Sequence, residues 1–302
     1  MRSYEKAVTI FGEYALGRGS LLEICVGDLN EPDTVEVAVR GCDSVISVSG
    51  SIRSSRLSDF LPWRLFRSDV SSWCTDKSHP YYTNYKAQTL LFSLAEKYDL
   101  KRIIRMTDLY AGLPPYSFIS VVANTMRSMT FRYHAMAEQA LRTNCTVPSI
   151  ILRPGDLINY QRNTQTTWLQ IHPSGVLPSP SIIGRDDVAT IAIAALQSDD
   201  NRTHTLAVRW VGEHMYPQPQ GKREEGFPTA KECLDALKGI PSTSLMTEKI
   251  QDTRAPMAQV NSYEQSHIVQ PFAAYVALAV YSILISMSKF FLSLIRRKFI
   301  RS

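Results

Sequence analysis

The sequence predicts an α/β protein organised around a mostly parallel sheet, on three observations. From about residue 21 to residue 208, short β-branched runs alternate with longer segments of helical spacing. Each apolar run is short and bounded by polar or turn residues, as strands covered on both faces require. The composition, 44% hydrophobic and 20% charged, suits a chain that buries a core and argues against disorder.

Strands are predicted over residues 22–26, 44–48, 102–106, 150–152 and 205–208. Between them Ala87, Leu90, Leu91, Leu94 and Ala95 recur at helical spacing. So do Val122, Met126, Met129, Tyr133, Met136, Ala137, Ala140 and Leu141, and both stripes are expected to face the sheet. A further helix is predicted over residues 186–196, opened by Asp186 and Asp187 where the helix dipole favours acids. After Val211 the texture changes. Residues 216–226 are rich in Pro, Gln, Gly and charge, a short helix is expected over 229–238, and 239–270 carries little periodicity. The expected division is an α/β domain over 1–215, a linker over 216–270, an apolar helix over 271–295 and a basic tail over 296–302.

Charge is concentrated at the C-terminus. The whole chain carries +5, and Lys289, Arg296, Arg297, Lys298 and Arg301 supply all of it, so residues 1–288 are formally neutral. Nucleic-acid binding needs cations spread along one face, and none is expected here. Five cysteines without CxxC spacing or a His cluster indicate neither a disulfide framework nor a metal site. Residues 272–288 contain no charge, and the stretch continues past Lys289 to Ile295. About 24 helical residues reach roughly 36 Å, against about 30 Å of bilayer hydrocarbon, if Lys289 snorkels to the basic end. This is the layout of a tail anchor that holds membrane lipid and leaves the body in the cytosol. Its basic terminus is more like anchors of mitochondrial or peroxisomal membranes than of the endoplasmic reticulum.

Six phrases occur in order along the domain: Val26-Gly27-Asp28-Leu29; Arg40-Gly41-Cys42-Asp43-Ser44-Val45-Ile46 leading to Ser49-Gly50; Leu100-Lys101-Arg102-Ile103-Ile104-Arg105-Met106-Thr107; Ala137-Glu138-Gln139-Ala140-Leu141-Arg142; Ile151-Leu152-Arg153-Pro154-Gly155; and Gly184-Arg185-Asp186-Asp187-Val188-Ala189. This series resembles the atypical short-chain dehydrogenase/reductases of the NmrA-like, NAD(P)-binding group, over about residues 2–208. The resemblance implies a Rossmann-like sheet and NADP or NAD as cofactor. It places Asp28 and Leu29 at the adenine, and Ser49 and Gly50 at a ligand-holding strand end. Thr107 falls near the nicotinamide, and Arg153, Pro154 and Gly155 close the far side. Arg2 matches an arginine that pairs with the 2′-phosphate in NADP-dependent relatives.

Departures from the family pattern bear on function. The sequence contains no GxxGxxG turn to cradle a pyrophosphate. Arg2-Ser3-Tyr4-Glu5-Lys6-Ala7 resembles the family phrase that follows its second strand, so the domain is expected to be N-terminally truncated. Two strands would then be missing between 22–26 and 44–48. Those segments are expected either to pair directly or to leave 22–26 with bare edges. The family's Tyr-x-x-x-Lys pair is replaced by Thr130 and His134, and the literal match at Tyr82 and Lys86 lies in the wrong element. His134 is the expected proton donor with Thr107, on a helix surface where a neutral ring is favoured. NAD(P) binding by this chain is expected to be weak or lost. Two readings follow: an NAD(P)H-dependent oxidoreductase or redox-responsive protein at a membrane, or a non-catalytic scaffold or assembly factor that uses the fold to bind a protein partner.

Overall fold

The computed structural model describes residues 3–12, 22–56, 59, 70–72, 74–114, 117–173, 181–212, 226–235 and 276. The first helix, α1 (Tyr4–Phe11), is capped by Ser3, whose hydroxyl accepts from the Lys6 amide. Helix α2 (Pro32–Val39) starts with Pro at its first position and leads through Gly41, at φ 82°, into β1 (Ser44–Ser47). A π-helical turn over Tyr81–Lys86 runs into α3 (Ala87–Lys97), and β2 (Arg102–Met106) follows. Then come α4 (Phe118–Met126), α5 (Thr130–Asn144) and β3 (Ser149–Pro154). The chain continues through β4 (Asp156–Ile158), β5 (Thr167–His172), β6 (Ile182–Gly184), α6 (Arg185–Leu196), β7 (His204–Gly212) and α7 (Ala230–Asp235).

The five-stranded sheet has the order β1-β2-β3-β7-β5. Its first four strands are parallel and β5 runs antiparallel to β7, while β4 and β6 form a small parallel pair beside it. The predicted Rossmann-like, mostly parallel α/β architecture is therefore present. Every residue of β3 and β7 is buried, as continuous apolar strands inside a two-faced sheet should be. Strand alternation divides the core. Ile104, Ile150, Leu152, Leu206 and Val208 face α6 with Val188, Ile191 and Ala195. Ile103 and Ile151 face the opposite way, against Leu91, Ala95 and Leu141 of α3 and α5.

Three expectations need correction. Residues 22–26 form no strand, and β1 pairs only with β2 among the described residues. The segment neither joins β1 nor stands as a separate strand, because an extended backbone without a neighbouring ladder gains no hydrogen bonds from being regular. Second, the apolar stripe from Val122 to Leu141 is split into α4 and α5 by Ser128 and Met129, at φ 48° and 60°. That costly conformation is held by its surroundings: the Ser128 amide donates to Ser55 Oγ at 2.7 Å and its hydroxyl to Asp59 at 3.0 Å. Third, β5 and the β4–β6 pair lie in a region where no strand is predicted. The short helix expected over 229–238 is present as α7, opened by reciprocal bonds between Thr229 and Glu232.

Among the described residues no helix is long and apolar enough to cross a membrane. The expected apolar helix over 271–295 lies, apart from Val276, outside the described residues, as does the basic tail.

Candidate functional site

The C-terminal ends of β1 and β2 form one edge of the sheet, and the loop after β1 is fixed there by buried polar side chains. Arg105, fully buried on β2, donates through Nη1 to the carbonyl oxygens of Ser47 (3.3 Å) and Ser49 (2.8 Å) and to the Ser47 hydroxyl (3.2 Å). Gln88 Nε2 donates to Ser49 Oγ at 3.0 Å, and Gln88 Oε1 accepts from Ser47 Oγ at 2.8 Å. Asn84 accepts from the Ser51 amide and donates to the Ser51 carbonyl, at 2.7 and 2.9 Å. The π-helical turn before α3 carries Asn84, and Gln88 follows one turn later, so both amides reach the strand end together.

His134 lies under this loop. Arg105 Nη2 sits 3.3 Å from its Nδ1, and because guanidinium only donates, Nδ1 must accept. A neutral ring then carries its proton on Nε2. That edge looks towards Gly50: a Cβ placed there would stand 3.6 Å from Cε1 and 3.8 Å from Nε2. The expected helix-surface position is corrected, since His134 is only 6% exposed. Burial, then the Arg105 charge, push its pKa down to about 3, which keeps the imidazole uncharged.

Thr107 occupies the end of β2 next to a second buried network. Its hydroxyl donates to Glu138 Oε1 at 2.6 Å. Glu138, wholly buried on α5, is also held by Arg153, whose Nε reaches both carboxylate oxygens at 3.0 and 3.2 Å. Arg142 completes the set at 3.3 Å and bonds Thr205 at 3.1 Å. Burial alone would raise the Glu138 pKa, but the charge and hydrogen bonds of Arg153, then Arg142 and Thr107, hold it at about 2. Thr107 thus spends its proton on a carboxylate, and Arg153 serves as that carboxylate's counter-ion.

The remaining candidates have these local contacts. Asp28 Oδ1 accepts from the amide and side chain of Asn30 at 2.9 and 3.0 Å, an Asx turn that starts the approach to α2. Leu29 packs against the α3 and α5 core. Pro154 closes β3 opposite Val208. A Cβ on Gly155 would stand 2.4 Å from the Ser181 carbonyl oxygen, so only glycine lets the β3 end meet that segment. Arg2 lies outside the described residues. Of the predicted residues, Ser49, Gly50 and His134 are brought together, Thr107 and Arg153 meet through Glu138, and Asp28 and Leu29 stand apart with α2. The literal Tyr82–Lys86 match is no acid–base pair, because the Tyr82 hydroxyl is bonded to the Cys74 carbonyl. Among the described residues no group of His, Cys, Asp or Glu could hold a metal ion.

Sequence reasoning missed Arg105, Gln88, Asn84 and the role of Glu138. A signal was available for two of them. Asn84 and Gln88 continue the spacing of Leu91 and Ala95, so they are polar members of a stripe that is otherwise core. Asp108, just past Thr107, also escaped notice. Its Oδ1 accepts from the Tyr110 amide at 2.7 Å, and burial pushes its pKa up to about 6.

A parallel sheet whose strand ends gather small residues and fixed polar groups defines a nucleotide-binding α/β class. Residues 14–199 match the NAD(P)H-binding family, well over half of the sequence, and the chain belongs to that family. A putative NAD-dependent epimerase/dehydratase from Bacillus halodurans is similar in structure, with TM-score 0.51 and 16% identity over 78% of this chain and 85% of its own. The oxidoreductase ylbE from Lactococcus lactis has TM-score 0.47 and 15% identity over 74% of this chain and 83% of its own. ChuY, an anaerobillin reductase from Escherichia coli O157:H7, has TM-score 0.45 and 18% identity over 72% of this chain and 84% of its own. At these identities the likeness is one of fold. No curated protein matches the sequence.

Proposed function

We propose that this is a redox-responsive protein of the NmrA-like atypical short-chain dehydrogenase/reductase group, held at a membrane by its C-terminal segment. It takes NADP or NAD weakly at the strand ends around Ser49 and Gly50. The observation that carries this reading is the state of the two proton-handling candidates inside a family member. The Thr107 hydroxyl donates its hydrogen bond to buried Glu138, and His134 stays neutral beneath Arg105. Neither is arranged like a Tyr whose pKa is lowered by a neighbouring Lys for general acid catalysis. Occupancy of the crevice, rather than steady hydride transfer, is then the output.

When bound, the cofactor supplies a nicotinamide ring able to carry hydride. The residues of this chain would orient it: Gly50 leaves space beside the strand end, and Ser49 is fixed by Arg105 and Gln88. Asp28 and Leu29 are proposed to border the adenine, and Arg153, Pro154 and Gly155 the far wall. This sequence carries no GxxGxxG whose amides would receive the diphosphate, and weak affinity is proposed on that ground.

A second reading is supported by the same locked side chains: a non-catalytic scaffold that binds a protein partner. Calorimetric titration of the full chain in detergent separates the two. NADPH or NADH is expected to bind with a Kd weaker than roughly 100 µM, or about −5.5 kcal/mol. No heat with either nucleotide would leave the scaffold, and steady NADPH oxidation with a carbonyl substrate would replace both by an enzyme. The anchor rests on residues 272–288 being free of charge and on the basic residues beyond them. Alkaline carbonate extraction should leave the chain in the membrane pellet; its release would remove the spanning helix.

A further inference from the structure

The geometry points to Arg105 as a positioning residue that fixes the His134 tautomer, so that Nε2–H stands beside Gly50 as a permanently uncharged donor for a carbonyl oxygen. The first support is chemical necessity. Arg105 Nη2 has only hydrogens to offer and lies 3.3 Å from Nδ1, so the ring cannot keep a proton there without losing the contact. Arg105 itself cannot turn away, because Nη1 is engaged by two carbonyl oxygens and a hydroxyl at the end of β1. Its guanidinium remains charged, with its pKa lowered by burial to about 10.

The second support is space. Among the described residues the His134 ring is bonded through Nδ1, and Nε2 is not one of the buried polar atoms left without a partner. Residue 50 has no side chain, and that leaves the approach to Nε2 open. The charged groups facing the ring are Arg105 from β2 and, at longer range, Glu138 from the same helix. The neighbouring cation polarises the imidazole and strengthens Nε2–H as a donor while opposing protonation. Such a donor pairs with a carbonyl oxygen, either of an amide such as a nicotinamide carboxamide or of a ketone. This deepens the crevice reading proposed above, but the tautomer can be tested without any nucleotide.

The test is long-range 1H–15N correlation on the full chain labelled at histidine. At neutral pH the His134 ring is expected to show a protonated Nε2 and a bare Nδ1 by at least about tenfold, and to stay neutral down to pH 5. Arg105→Lys retains a donor and should preserve this pattern. Arg105→Met should mix the tautomers and raise the protonation midpoint by more than one pH unit. If Arg105→Met does not fold, the wild-type and Arg105→Lys spectra still decide, since an Nδ1–H tautomer or a ring charged at pH 6 overturns the assignment. Nicotinamide and cyclohexanone are then titrated separately. A shift of the Nε2–H resonance by nicotinamide alone identifies an amide acceptor, and by cyclohexanone alone a ketone. Gly50→Val should abolish either shift, and no shift with both probes removes the ligand role. NADPH calorimetry is independent: a fixed tautomer without NADPH heat would defeat the cofactor reading and keep this one.

Discussion

The two faces of the sheet are built from different materials. On the α6 side Ile104, Leu152, Leu206, Val208 and Ile191 make an apolar layer from one end of the strands to the other. On the α5 side, apolar packing around Ile103 and Ile151 gives way, one pleat further along, to Arg105 and Arg153 with His134, Glu138 and Gln88. The change falls where an open α/β sheet holds ligand. A non-directional layer tolerates rearrangement, whereas a layer of buried charges has one set of partners and is costly to disturb. The α6 face therefore serves the fold, and the α5 face spends stability on a fixed arrangement at the strand ends.

The comparison can be broken most sharply at Glu138. Glu138→Gln leaves Arg153 and Arg142 facing each other without an anion, and should cost about 3–5 kcal/mol in urea unfolding at pH 7. A loss below about 1 kcal/mol would show that the charged layer is not a unit. Ile191→Ala, on the apolar face and 0% exposed, should cost about 2–4 kcal/mol, with no change in pH dependence. If its pH profile shifted, the two faces would not be independent.

Acid should act on the charged side. His134 and His79 have folded pKa values near 3 and 4, both below the usual histidine value, chiefly through burial. Their contribution is complete above about pH 6.5 and is lost as pH falls towards the folded values. At pH 4.5 that loss should be roughly 2 kcal/mol for each. Glu138 adds to it below about pH 4.3, the unfolded value. His134→Gln should flatten this limb in denaturation curves at pH 7 and 4.5, and an unaltered limb would assign it elsewhere.

The smallest effect has the opposite sign. Asp108 has its pKa raised to about 6, so its stabilising share is complete below about pH 4 and is lost as pH rises through 6. Asp108→Asn should therefore gain about 1 kcal/mol at pH 8 and nothing at pH 4, because an amide oxygen can still accept from Tyr110. A gain at both pH values would mean that burial of charge is not the cause.

The apolar layer was legible residue by residue. Ile104 and Leu152 sit in runs that could only be buried strands, and Ala87, Leu91 and Ala95 repeat as a helix must. The site was legible only in part. Ser49, Gly50 and His134 stand in separate stretches of sequence and converge, whereas the meeting of Thr107 and Arg153 at Glu138 has no local signature. Residues 22–26 looked like a strand because local pattern reports propensity and says nothing about whether a neighbour is available.

Taken alone, the amino-acid order determined the α/β rhythm, the family and the apolar, basic-ended C-terminal stretch, since each is written in near-neighbour spacing or composition. Only the tertiary structure decided which group the Thr107 hydroxyl donates to, which nitrogen of His134 is bare and why Gly155 admits no side chain. Those outcomes depend on partners 31, 29 and 26 positions away in sequence, which the sheet brings within hydrogen-bonding or contact distance. Hydrogen bonds act over about 3 Å of space, and chain separation does not encode that distance.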